Sequence, residues 1–155
     1  MHADDSAGEP AEHARFARHL TELEQVADAD EIELVVGVLA DPDPVMARAA
    51  VVRHLDRRAA ELCRAPAWEE WAEVMARLVT GHPFLVRRLE EWALFRAVAL
   101  RLPWHRDDLL AASDWFQLKA ADGTNPEALR LLAESGRTKR IRNTARESLG
   151  RRAEG

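Results

Sequence analysis

Seven cations stand in the stretch 137–152, namely Arg137, Lys139, Arg140, Arg142, Arg146, Arg151 and Arg152, against the single acid Glu147. On a helix, Lys139, Arg142 and Arg146 fall on one line, three and seven residues apart, clear of Ile141, Ala145 and Leu149. A stripe of one sign attracts anions. Its targets would be phosphates, an acidic peptide, or the acidic N-terminal region of another copy. Arg137, Lys139, Arg140, Arg142 and Arg146 are therefore the candidate partner- or anion-binding residues. The competing reading is a solvated terminal cap whose arginines aid solubility.

A second constellation lies upstream. Trp104-His105-Arg106-Asp107-Asp108 follows Pro103, and Ser113-Asp114-Trp115-Phe116 comes shortly after. Aromatic residues beside acids can line a concave pocket, so Trp104, Asp107, Asp108 and Trp115 are candidate pocket residues, with local packing as the alternative. An acid doing proton chemistry there would need a shifted pKa. Trp68, Trp71 and Trp92 lie on or beside apolar stripes and read as core.

Other chemistry is sparse. The histidines at 2, 13, 19, 54, 82 and 105 include no i,i+4 pair that would aim two imidazoles at one metal. They read as surface or turn residues. There is no Gly-rich phosphate loop, no nucleophile elbow and no H-E-x-x-H pattern. The lone Cys63 can form no intramolecular disulfide and reads as a buried thiol. No catalytic residue, metal or cofactor is assigned, and a non-enzymatic role is expected.

The elements that must position these residues all read as helices. Pro10 suits the first position of a helix that carries Phe16, Leu20 and Leu23, with residues 1–8 before it as a flexible tail. Asp30 with Glu33 resembles a capping box for a helix bearing Ile32, Val35, Val36 and Leu39. Asp43 can cap, and Pro44 open, a long amphipathic helix with Val45, Ala49, Val52, Leu55, Ala59 and Leu62 on one line. Pro66 starts a helix with Trp68, Trp71, Met75 and Leu78, and Gly81 can end it. Pro83 opens the next, which Pro103 stops. Residues 104–121 read as one helix or two, broken near Ser113. Asn125-Pro126 and Thr138 start the last two. No stretch alternates with period two. The fold class is all-α, in a single domain over 9–152.

Of 155 residues, 47% are apolar, enough for a packed core. The net charge of -5 is unevenly spread. Residues 1–43 hold twelve acids against two bases, whereas 44–155 hold fifteen acids against twenty bases. No apolar run approaches the ~18 residues needed to cross a bilayer. The acidic, polar start MHADDSAGEP is the opposite of a signal peptide. A cytoplasmic protein that does not engage membranes is expected.

Three segments share a pattern of helix, short break, then an apolar residue and arginine opening another helix: LADPDPVMARAAVVRHL, LVTGHPFLVRRLEEWALF and LAESGRTKRIRNTARESL. Arg48, Arg87 and Arg142 correspond in them, 39 and 55 residues apart. The first spacing is close to the HEAT period, and the second leaves room for an inserted element at 104–121. Over about residues 30–152 the chain thus resembles HEAT-repeat proteins. The resemblance implies a short right-handed α-solenoid of three to four helical hairpins, each burying its apolar stripe only by stacking on neighbours. Only the first segment carries turn aspartates, Asp41 and Asp43. The alternative architecture is an irregular helical bundle.

Such a stack suits a non-catalytic module for a protein or peptide partner, and its acidic and basic ends would also permit self-association. The alternative is nucleic-acid binding through the C-terminal arginines. A lesser alternative follows from the resemblance of the repeat style to HEAT-like alkylpurine DNA glycosylases, which use tryptophans and an aspartate in a basic groove. Trp104 with Asp108 is similar in kind to that pairing.

Overall fold

The computed structural model describes residues 3–154, with side chains from residue 11 onward. It contains nine α-helices and one 3-10 turn, and no strand among the described residues, so the chain is all-α as its patterning predicts. Among these residues no helix is long and apolar enough to cross a membrane. The chain divides into two compact units. The first runs to Leu62 and resumes over Pro66–Leu89, and the second comprises Cys63–Ala65 and everything from Glu90 on. The division falls inside a helix, which is why no Gly- or Pro-rich linker marks it in the sequence.

The first unit holds α1 (Ala3–Gln25), the 3-10 turn Asp28–Asp30, α2 (Glu31–Leu39), α3 (Pro44–Leu62), α4 (Trp68–Leu78) and the opening turns of α5 (Pro83–Leu100). Helix α1 takes in residues 3–8, assigned above to a tail, so Pro10 stands within the helix and not at its start; residues 1 and 2 lie outside the described residues. Asp30 makes no capping bond, because the preceding 3-10 turn leaves it with helical dihedrals (φ -104°, ψ -4°) where a capping residue needs an extended backbone. Asp43 does cap α3, its Oδ1 accepting from the amides of Val45 and Met46, each at 3.1 Å.

The buried faces of α2 and α3 are rotated from those the apolar spacing predicts. On α2 the buried line is Glu31, Val35 and Val38, while Ile32 and Val36 are 48% and 49% exposed. On α3 it includes Ala47, Ala50, Val51, His54 and Leu55, while Val45 is 64% exposed. The reason is that Glu31 and His54 occupy core positions and satisfy one another there, which a reading that places every polar residue outside cannot find.

The second unit continues α5 and adds α6 (Arg106–Ala111), α7 (Asp114–Ala121), α8 (Pro126–Ser135) and α9 (Lys139–Glu154). Segment 104–121 therefore forms two helices, broken where Ser113 accepts from the Phe116 amide and caps α7. The core gathers Val98, Leu109, Phe116, Leu129, Leu132 and Ile141. One buried amide crosses it. The Nε2 of Gln117 donates to the carbonyls of Leu109 (3.0 Å) and Leu110 (3.1 Å), and its Oε1 accepts from the Arg137 amide (3.0 Å). Asn125 caps α8 with its oxygen and donates its nitrogen to the Val98 carbonyl at 2.8 Å. Thr138 caps α9.

Two backbone positions in this unit are special. Arg101 follows α5 with φ 58°, the one non-glycine residue at positive φ among those described. The Leu102 amide bonds back to the Ala97 carbonyl at 2.9 Å, a helix-ending geometry in which glycine is the unstrained choice; an arginine there costs about 1 kcal/mol. Gly136 joins α8 to α9. A Cβ on it would stand 2.5 Å from the Leu132 carbonyl oxygen and 2.7 Å from the Ile141 Cγ2. Gly136→Ala is expected to destabilise the protein by about 1–3 kcal/mol through this overlap, read as a lower denaturation midpoint at unchanged slope in urea. An unchanged midpoint would mean that the α8–α9 junction yields freely.

Candidate functional site

The most perturbed chemistry in the chain lies in the first unit, around Glu31. Its carboxylate, 5% exposed, accepts from His54 Nε2 at 2.6 Å, Arg58 Nε at 3.0 Å and Trp71 Nε1 at 3.1 Å. The Arg58 guanidinium also lies 6.0 Å from the centre of the Trp71 ring. Burial alone would raise the Glu31 pKa, but the hydrogen bonds from His54, Arg58 and Trp71, with the charge of Arg58, outweigh it and bring the value from 4.5 to about 2. Arg57 completes the cluster. Its Nη2 donates to His54 Nδ1 at 3.0 Å and to the Leu23 carbonyl at 2.6 Å, and its Nη1 donates to the Glu24 carbonyl at 3.1 Å.

A guanidinium can only donate, so Nδ1 of His54 is the acceptor and Nε2 carries the hydrogen shared with Glu31. A carboxylate that orients a histidine is half of a general-base arrangement. Here the lone pair needed to take a proton is already occupied by Arg57. The cluster therefore acts as a staple joining α1, α2, α3 and α4. His54 is 2% exposed, which corrects its reading as a surface histidine: its two ring nitrogens have partners, so burial carries no penalty for unmet hydrogen bonds.

A second polar tie holds α1 to the α2–α3 turn. Arg15 Nε and His19 Nε2 each lie 2.9 Å from Asp41 Oδ2, whose Oδ1 accepts from the Asp43 amide at 2.8 Å. The hydrogen bond from His19, then that from the Asp43 amide, hold the Asp41 pKa at about 2, below its ordinary 3.8.

Between α1 and α2 runs an open groove of about 500 Å³. Glu22, Asp30 and Glu33 line it with Val26, Leu34 and Gly37. Ile32 and Val36, one turn apart, stand exposed on another flank of α2 and do not line it. A Cβ built on Gly37 would meet nothing within 4 Å, so the bare backbone there answers no packing need of the chain itself. Of these residues, the apolar spacing of the sequence assigns only Ile32 and Val36 to a stripe. The legible signal was the acidic excess of residues 1–43 around an aliphatic helix containing a glycine.

The C-terminal arginines are dispersed in their uses. Arg137 donates to Asp114 (2.7 Å) and to the Ala112 carbonyl (2.6 Å), and Arg142 donates to the Gly136 carbonyl (2.8 Å). Arg152 donates to the Thr124 carbonyl at 2.8 Å, and Arg151 meets Asp122 at 3.4 Å. Arg146 bonds Asn143 at 3.1 Å. Lys139 and Arg140 are exposed. The three repeat-aligned arginines likewise differ. Arg48 lies 5.1 Å over the Phe84 ring, Arg87 is exposed, and Arg142 caps a carbonyl.

The acids expected in a pocket are not brought to one. Asp107, Asp108 and Asp114 are all exposed; the first two sit on the first turn of α6, where the helix end favours negative charge. Trp115 packs edge-on against Trp92 at 5.6 Å. Trp104, half-buried against the core, lines a groove of about 430 Å³ whose charged residues are Arg101, Glu127 and Arg130. Among the described residues no group of three histidine, cysteine or acidic side chains is placed to hold a metal ion.

No family model, curated protein or solved structure matches this chain.

Glu31 sets a pH dependence with a definite sign. Its folded pKa is lowered, so its contribution is present above 4.5 and is lost as pH falls from there toward 2. The shift corresponds to about 3 kcal/mol. Glu31→Gln, which sets an amide against three donors, is expected to cost about 3 kcal/mol at pH 7 and distinctly less at pH 3, compared with the unchanged chain by urea unfolding at both values. An equal cost at both would show that the carboxylate charge contributes nothing.

Proposed function

We propose that the chain is a non-catalytic interaction module that seats a basic amphipathic segment of a protein partner in the α1–α2 groove. The observation that supports this best is the groove itself, in which Glu22, Asp30 and Glu33 surround the aliphatic Val26 and Leu34 and the bare backbone of Gly37. Val26 and Leu34 offer apolar area for anchors, and the acids select cationic flanks. Residues 1–43, from which all the lining residues come, carry twelve acids against two bases. Gly37 lets a partner backbone or side chain come close where any larger residue would stand in the way. Glycine in an exposed helix costs about 1 kcal/mol relative to alanine, and in the free chain nothing offsets that cost. A partner helix presenting leucine or isoleucine at i and i+3 or i+4, with lysine or arginine around them, matches this face.

The nucleic-acid alternative rests on Lys139, Arg140 and Arg146, since Arg137 and Arg142 are engaged with carbonyl oxygens. With so few phosphate contacts the binding constant would fall with salt at a logarithmic slope no steeper than about -3.

The test is a titration of the full chain with two labelled helical peptides of equal apolar content, one Lys/Arg-flanked and one Glu-flanked, with a duplex DNA in parallel. The basic peptide is expected to bind and the acidic one not. Gly37→Arg and the pair Glu22→Gln with Glu33→Gln should each weaken it at least about tenfold, the equivalent of 1.4 kcal/mol. Equal binding of both peptides, binding of DNA alone, or concentration-dependent self-association that occupies the same face would overturn the proposal.

A further inference from the structure

The groove of the second unit makes a different offer. It lies between the residues that follow α5 and the first turns of α8, and its volume of about 430 Å³ falls in the range of small-molecule sites. Arg101 and Arg130 stand on it, both exposed, and neither forms a hydrogen bond or ion pair among the described residues. They differ in this from Arg96, Arg137, Arg142 and Arg152 of the same unit, which donate to backbone carbonyls. Arg101 is also the residue held at φ 58° where glycine would be relaxed. A guanidinium is thus kept at this wall at a cost in backbone strain, and such strain collects at binding sites.

The remaining walls have complementary chemistry. The Trp104 indole packs on the core on one side, lines the groove with Leu102, and makes no hydrogen bond through its N–H among the described residues. Leu102 is 43% exposed. Together they offer a flat apolar surface for a planar ring. Glu127 is the one carboxylate on the groove. It would repel a bare anion, but it can accept hydrogen bonds from hydroxyl groups carried between a ring and a phosphate. Two free guanidiniums, a ring surface and one acceptor are the complement of a nucleoside monophosphate, in which phosphate, sugar diol and base occupy those three places.

We propose that the Arg101–Trp104–Arg130 groove binds a nucleoside monophosphate, the phosphate between the two arginines, the base on Trp104 and Leu102, and the sugar hydroxyls on Glu127. The site is separate from the α1–α2 groove and does not depend on the function proposed for it.

The experiment is calorimetric titration of the full chain with adenosine, guanosine, cytidine and uridine monophosphates, with inorganic phosphate and the unphosphorylated nucleosides as controls. Saturable one-site binding of at least one monophosphate is expected, with both controls weaker. Arg101→Gly is the decisive variant because glycine relieves the positive φ. It should raise the melting temperature and at the same time weaken binding at least about tenfold, the usual effect of losing one charge-assisted contact. Arg130→Gln should weaken it similarly, and Trp104→Phe should remove the ligand-induced change in tryptophan fluorescence. No monophosphate binding at millimolar concentration, binding equal to that of inorganic phosphate, or an Arg101→Gly variant that binds as well as the parent would overturn the assignment.

Discussion

A carboxylate taken out of water must be met by donors on every side or it will not stay ionised, and in this chain that requirement falls on Glu31. Four side chains answer it directly or at one remove, His54, Arg57, Arg58 and Trp71, and they come from α3 and α4. Glu31 itself opens α2, and Arg57 carries the network on to the last carbonyls of α1. The rotation of α2 follows from this. With Glu31 fixed inward, the residues one and two turns on, Val35 and Val38, must also face in, and Ile32 and Val36 are turned outward. The exposed apolar pair is therefore a geometric consequence of a buried charge.

Among the described residues, five arginines serve as clamps on carbonyl groups, namely Arg57, Arg96, Arg137, Arg142 and Arg152. Arg57 takes the end of α1, Arg96 the carbonyls of Cys63 and Ala65, and Arg142 that of Gly136. Helix ends and turns leave carbonyls without backbone partners, and a planar guanidinium with five donors can satisfy two at once. A count of cations along the chain consequently overstates the charge available to a ligand. The stretch 137–152 looks like an anion-binding stripe by composition, yet five of its six arginines, all but Arg140, have donors turned back on the protein.

What the sequence made legible was local. The caps at Asp43, Asn125 and Thr138 depend on bonds two or three residues long, whereas the sequence placed a break near Ser113 but left open whether 104–121 is one helix or two. The burial of Trp68, Trp71, Trp92 and Cys63 follows from bulk apolarity. What escaped was set by partners 22 to 40 residues away, as in His19 with Asp41 or Trp71 with Glu31. Apolar spacing identifies a face only when polar residues stay outside, and Glu31, His54 and Gln117 do not. The Trp104 groove was half legible. The tryptophan was singled out, but its charged neighbours are Arg101 and Arg130, not Asp107 and Asp108, because α6 turns both acids to solvent.

Among the described residues, helix α1 is held by the Asp41 tie to Arg15 and His19, by the grip of Arg57 on its final carbonyls, and by the burial of Leu23. Leu23 is the one fully buried apolar residue among the described side chains of α1, and local unfolding begins where such residues are fewest. The α1–α2 groove exists only while α1 is seated. Amide hydrogens on α1 and the lifetime of the groove are then governed by a single opening equilibrium, and acidification, by neutralising Asp41, loosens both together.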